Sequence, residues 1–211
     1  MIDNGKSYYS LMLESQKKFL LASYRLAYKY PYACKSAFNM GDDTLSFILS
    51  RTEGEFESIL EDLNFWILSP IQRESISWSQ PAECFFSKWV DTLETSRPFL
   101  SNDESTNLTK CLREETEPLL KNVLSAQSGL LFSIGDLAVS DVGFASLMLN
   151  IDRNILSRLA SNWLNSNKFL SISELPPIFN INPKISIDEI NAGGEISILA
   201  IENALYSFKT V

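Results

Sequence analysis

The chain has 211 residues, long enough for one large or two small domains, with 45% apolar and 21% charged residues; that balance excludes a disordered chain. Its net charge of −8 excludes a protein that grips nucleic acid by its overall field, because phosphate neutralisation needs a basic surface. With 3 cysteines and no histidine it excludes a disulfide framework and a structural zinc site of the usual ligands, and Cys34, Cys84 and Cys111 are expected as free thiols in a reducing compartment.

Taken in chain order, the first predicted element is a long helix over 7–30, with Leu11, Phe19 and Leu26 at helical spacing. Residues 1–6 lack the apolar core of a signal peptide and the run 19–28 is too short for a bilayer, so a soluble, cytoplasmic protein is expected. Pro31 ends that helix, and a short one follows over 32–40. Gly41-Asp42-Asp43 makes a turn whose acids can cap a helix over 44–51. Thr52 and Glu55 have the spacing of a capping box, opening a helix expected to reach about Leu68. Residues 69–80 read as irregular, and Pro81 as the first position of a helix carrying Phe85, Phe86, Trp89 and Leu93. Residues 96–106 are the best linker. Helices are expected over 107–126 and again from Ser128 to about Phe169. The prolines between Glu174 and Pro183 require an extended loop, and Ser186 and Glu189 form a second capping box before Gly193-Gly194 and a last helix over 195–208.

Sliding the chain along itself brings out a repeat at an offset of 111 (137 − 26). Leu20/Leu131, Leu26/Leu137, Ala27/Ala138, Asn39/Asn150, Leu45/Leu156, Ser46/Ser157 and Ser50/Ser161 are identical within 31 ungapped positions. A repeat of this kind is one supersecondary unit used twice, and two units can pack as a pseudo-dimer.

The repeated unit has a recognisable form. Leu20-Leu21-Ala22-Ser23-Tyr24-Arg25-Leu26, then Ala37-Phe38-Asn39-Met40-Gly41, then Leu45 to Thr52 resembles the FlhD family, the helical subunit of the flagellar master regulator. Leu130-Leu131, Leu149-Asn150-Ile151 and Leu156 to Ala160 repeat the match, and 179–208 resembles the family's C-terminal region. The resemblance implies an all-α protein of two FlhD-like helical repeats packed as a pseudo-dimer with a helical insert: 1–70 the first repeat, 71–126 the insert or linker, 127–211 the second repeat with a helix-turn-helix-like hairpin. It implies a transcriptional activator subunit whose partner is an FlhC-like, zinc-containing subunit, with DNA reached through the complex. The family places basic residues in its C-terminal turn, whereas Asn191-Ala192-Gly193-Gly194-Glu195 has none.

Candidate contacts follow from residue chemistry. Lys184, Ser186 and Asn191, at the mouth of the C-terminal hairpin, are candidate DNA phosphate contacts. Lys18, Arg25 and Lys29, seven and four apart, form a basic stripe on one helix face, within a segment (1–41) whose charge is 6 − 2, or +4. Phe65, Trp66, Phe85, Phe86 and Trp89 are expected core residues, and the insert is a place for a partner surface. No catalytic constellation, P-loop or glycine-rich fingerprint is present, so neither enzyme activity, cofactor, small-molecule substrate nor membrane contact is expected. The acidic runs at 53–62 and 114–117 read as solvated faces rather than metal sites. The same acidic, aromatic-rich sequence also fits a helical interaction adaptor or secretion-associated protein without a DNA role.

Overall fold

The structure, a computed structural model, describes residues 3–38, 40–73, 83–95, 117–163, 175–182, 185 and 190. Among these residues there are eight helices and very little sheet, so the protein is mainly helical. Helix α1 spans Asp3–Lys29, and Pro31 then opens α2 (Pro31–Phe38), its missing N–H falling where a first-turn N–H would be unsatisfied anyway. Helix α3 (Asp42–Leu49) starts earlier than expected: Gly41 is its N-cap and makes no side-chain cap, while Asp42 and Asp43 lie in its first turn, where the helix dipole favours carboxylates. The capping box before α4 (Glu53–Asp62) forms as the sequence requires, with the Thr52 N–H donating to Glu55 Oε2 at 2.8 Å and the Glu55 N–H donating to Thr52 Oγ1 at 3.4 Å.

Helix α4 was expected to run to Leu68 but stops at Asp62. The apolar run Phe65-Trp66-Ile67-Leu68 is buried as extended chain instead and leads into strand β1 (Leu68–Pro70). Strand β2 (Gln72–Arg73) pairs antiparallel with β3 (Glu83–Cys84), which precedes α5 (Phe85–Thr95). The helices expected on either side of residue 127 are one continuous helix, α6 (Glu117–Ser140). Two shorter helices follow, α7 (Val142–Leu149), capped by Asp141 whose Oδ1 accepts from the Phe144 N–H at 2.9 Å, and α8 (Arg153–Trp163). Strand β4 (Phe179–Ile181) lies in the proline-rich stretch and pairs antiparallel with β1, Ser69 opposite Asn180.

Helices α1 and α6 make the most extensive packing contact in the fold. One core of buried residues joins all parts, from Met12 and Phe19 on α1 through Phe86 and Trp89 on α5 to Leu130, Leu156 and Phe179. Residues Pro118–Ser140 are long and apolar enough to cross a membrane by length and composition, yet half of that stretch is buried inside the fold, against α1, α7 and α8. Burial of this kind is also what marks the central helix of a packed core.

The element boundaries recur at the sequence offset. Helices α2 and α7 start and end 111 residues apart (142 − 31, 149 − 38), α3 and α8 start 111 apart (153 − 42), and α1 and α6 end 111 apart (140 − 29).

Candidate interaction surfaces

Two buried glutamines define the joint between the chain's halves. Gln16, fully buried on α1, donates from Nε2 to the Phe65 carbonyl at 2.9 Å, and its Oε1 accepts from the Ile67 N–H at 2.8 Å. Gln127, fully buried on α6, does the same for the Pro176 carbonyl at 2.9 Å and the Ile178 N–H at 2.6 Å. Each amide thus satisfies one carbonyl and one N–H of an extended segment that has no helix or strand partner at those groups. The glutamines, carbonyls and amides are each 111 residues apart (127 − 16, 176 − 65, 178 − 67). The two clamped segments then pair through β1 and β4, flanked by Ile71 N–H to Ile178 carbonyl (2.7 Å) and Asn182 N–H to Ile67 carbonyl (2.8 Å).

Sequence reasoning missed these glutamines because a polar residue on an apolar helix face reads as an interruption. The available signal was that Gln16/Gln127 and Ile67/Ile178 are identical at the same offset, outside the compared window.

Each half fills one equivalent space with a different aromatic. In the first, Tyr24 stacks on Phe56 with ring centroids 4.9 Å apart and donates its hydroxyl to the Arg51 carbonyl at 2.8 Å. The position 111 residues on is Gly135, and there the Trp163 ring lies where a Cβ would sit, 2.2 Å from its nearest atom. Trp163 also donates from its indole to Asp136 Oδ1 at 3.0 Å and meets Trp89 and Phe132 edge-on.

Helix α5 turns its aromatic face inward: Phe86 and Trp89 are fully buried, with Phe86 5.6 Å from Phe179. The expectation of Phe65, Trp66, Phe86 and Trp89 as core residues is met, while Phe85 is half-buried at the edge. The aromatics of α5 therefore serve the core rather than a free partner surface. Its polar edge meets α8, where Arg158 donates to Glu94 through Nε (2.8 Å) and Nη2 (2.6 Å) and to Asp91 through Nη2, and Asn162 adds a 3.3 Å contact to Glu94. Hydrogen bonding from Arg158 holds the Glu94 carboxyl below its ordinary range. A depressed folded pKa means that this pairing contributes fully above the unfolded carboxyl value of about 4.3 and is lost as pH falls through the lower folded value. Arg158→Met is accordingly expected to cost about 1 kcal/mol or less near neutral pH, since the group is solvent-screened. In urea titrations the difference from the parent should vanish in acid; a difference that grows there would refute the assignment.

The basic stripe lies along the exposed face of α1, with Lys18, Arg25 and Lys29 all exposed. Arg25 is held by Glu53 (Nη2–Oε1 2.6 Å) and Glu57 (3.7 Å), and Lys29 Nζ stands 5.4 Å from the Tyr30 ring centroid. Part of the stripe is therefore neutralised by α4. At the offset positions on α6 stand Gly129, Asp136 and Ser140 (129 − 18, 136 − 25, 140 − 29), so the stripe belongs to one half only. Tyr28 and Tyr32, 65% and 87% exposed, stand beside it. Lys184, Ser186 and Asn191 lie outside the described residues, as do the second capping box, the last helix and the 96–106 linker.

No chemistry of the catalytic kind is built here among the described residues. None of them form a group of three potential metal ligands. Burial pushes the Cys34 thiol and the Tyr9 hydroxyl up to about 12, so neither is an activated nucleophile. Cys34 is free and buried and Cys84 free and half-buried, as expected; Cys111 lies outside the described residues. Comparison with known proteins returns no matching family model, no matching characterised protein and no matching solved structure.

Proposed function

We propose that the chain is two FlhD-like helical units fused in tandem and paired as a pseudo-dimer, and that it is the scaffolding subunit of a heteromeric, cytoplasmic transcription activator. The observation that carries the pairing is the doubled joint, in which Gln16 and Gln127 clamp equivalent segments that then pair through β1 and β4. Recurrence of α2/α7 and α3/α8 at the same offset supports it. The regulator assignment rests on the resemblance of 20–52 and of its second copy to the FlhD unit.

The division of labour follows from charge. A chain of net charge −8 does not hold a duplex by itself, so an FlhC-like, zinc-containing subunit supplies most of the DNA affinity. This subunit adds limited phosphate contacts from Lys184, Ser186 and Asn191, and its basic stripe of Lys18, Arg25 and Lys29 meets phosphate or an acidic stretch of the partner. Binding of that kind makes the stability of each subunit depend on the other.

Co-expressed with a basic, zinc-binding subunit, the chain is expected to co-purify as a complex that binds one promoter duplex. Affinity should fall on the order of tenfold or more between about 50 and about 200 mM salt. A stable complex that binds no duplex under any salt condition removes the regulator and leaves an interaction adaptor or secretion-associated role.

A further inference from the structure

The contacts between the two halves are uneven in a way that decides which surface each half fits. For a contact between residue i of the first half and j of the second, tandem pairing gives a mirror contact between j − 111 and i + 111. The Ser15 and Ser133 hydroxyls lie 2.8 Å apart, and the mirror positions hold Ala22 and Ala126. Tyr9 meets Phe144 edge-on at 5.7 Å, and the mirror positions hold Ala33 and Leu120. Arg158 on α8 binds Asp91 and Glu94 of α5, and its mirror position on α3 is Phe47, buried under the Arg51 guanidinium 3.9 Å above its ring.

Each contact works only when unlike halves meet. A first half paired with its own copy would set Ser15 against Ala22, leaving a part-buried hydroxyl without its partner. It would also set Tyr9 against Ala33, leaving space beside the ring, and put the Asp91 and Glu94 carboxylates next to Phe47 instead of a guanidinium. A second half paired with its own copy would crowd nothing but would lose the Tyr9 ring and the Ser15 hydroxyl.

We infer that the joint is a mutually specific interface: each half fits the opposite half, in this chain or in another copy, and rejects a second copy of itself. The inference rests on the tandem reading above. Its consequence is a scaffold with two chemically different ends, insulated from cross-pairing with single-unit chains.

Two measurements on the full-length protein separate the inference from the reading beneath it. First, a protease site placed within 101–105 allows the folded chain to be nicked, unfolded in urea and refolded, with the fragments weighed by native mass spectrometry. Mutual specificity predicts pairs of one first half with one second half; self-paired fragments approaching the random share of about a quarter each would overturn it while leaving tandem pairing intact. Second, the aromatic contact is moved to its mirror site. The double variant Tyr9→Leu/Phe144→Ala should lower Tm, and adding Leu120→Tyr and Ala33→Phe should regain more than half of the loss. A fourfold variant no more stable than the double one refutes the equivalence of the halves, and with it the tandem reading.

Discussion

Replacing Gln16 with leucine is expected to lower the free energy of unfolding by about 2–5 kcal/mol, and replacing Gln127 by about the same. Each substitution strips a partner from one buried carbonyl and one buried N–H, and each such group costs about 1–3 kcal/mol when left unsatisfied. The added apolar side chain offsets part of the loss, but leucine cannot reach either backbone group. Because a domain of this size has only about 5–15 kcal/mol in hand, the double variant should be unfolded or nearly so at room temperature. Equilibrium urea denaturation, followed by tryptophan fluorescence, measures both. The two single effects should agree to within about 1 kcal/mol, since clamp geometry is the same at both sites. A large loss at one glutamine and none at the other would show that the clamps are not equivalent devices.

The second large effect is expected at Gly135. A methyl group there would sit 2.2 Å from Trp163 Cε2, far inside van der Waals contact, so Gly135→Ala must expel the indole from its seat. That breaks the Trp163–Asp136 hydrogen bond and the packing on Trp89, at a cost of about 1–3 kcal/mol for overpacking and more if the ring is driven into solvent. The first half shows the compensating arrangement, with Tyr24 where Gly135 stands and Thr52 where Trp163 stands (135 − 24, 163 − 52). Trp163→Thr alone should cost about 3–5 kcal/mol as a cavity-forming change. Combined with Gly135→Tyr it should cost less than the sum of the two single changes. Strict additivity, read from chemical denaturation of the four proteins in the cycle, would refute the idea that the two halves fill one equivalent space by alternative means.

Much of the helical framework was legible in the sequence because its signals are local. Pro31 at a first helical position, the Thr52/Glu55 box and the apolar spacing of α1 are read within a few residues, and all three appear in the structure. The joint was not legible for the opposite reason. Phe65 to Leu68 is an apolar run buried on both sides, which periodicity cannot tell from helix, and what makes it extended is Gln16 on one side and Ile178 to Asn182 on the other. The break expected near residue 127 has the same origin: Ser125, Gln127, Ser128 and Gly129 dilute the apolar stripe, but Gln127 is occupied by Pro176 and Ile178, and α6 continues through it. Of the contact residues, the basic stripe was readable as a charge pattern, whereas its partial neutralisation by Glu53 and Glu57 depends on how α4 folds back.

Helices α1 and α6, the most closely packed pair in the molecule, are parts of one polypeptide. Their association is therefore unimolecular, and dilution does not dissociate it. An assembly of separate protomers empties as its copy number drops below its dissociation constant. Here the covalent tether keeps β1 beside β4 even when a cell holds a handful of molecules, so scarcity leaves this joint intact.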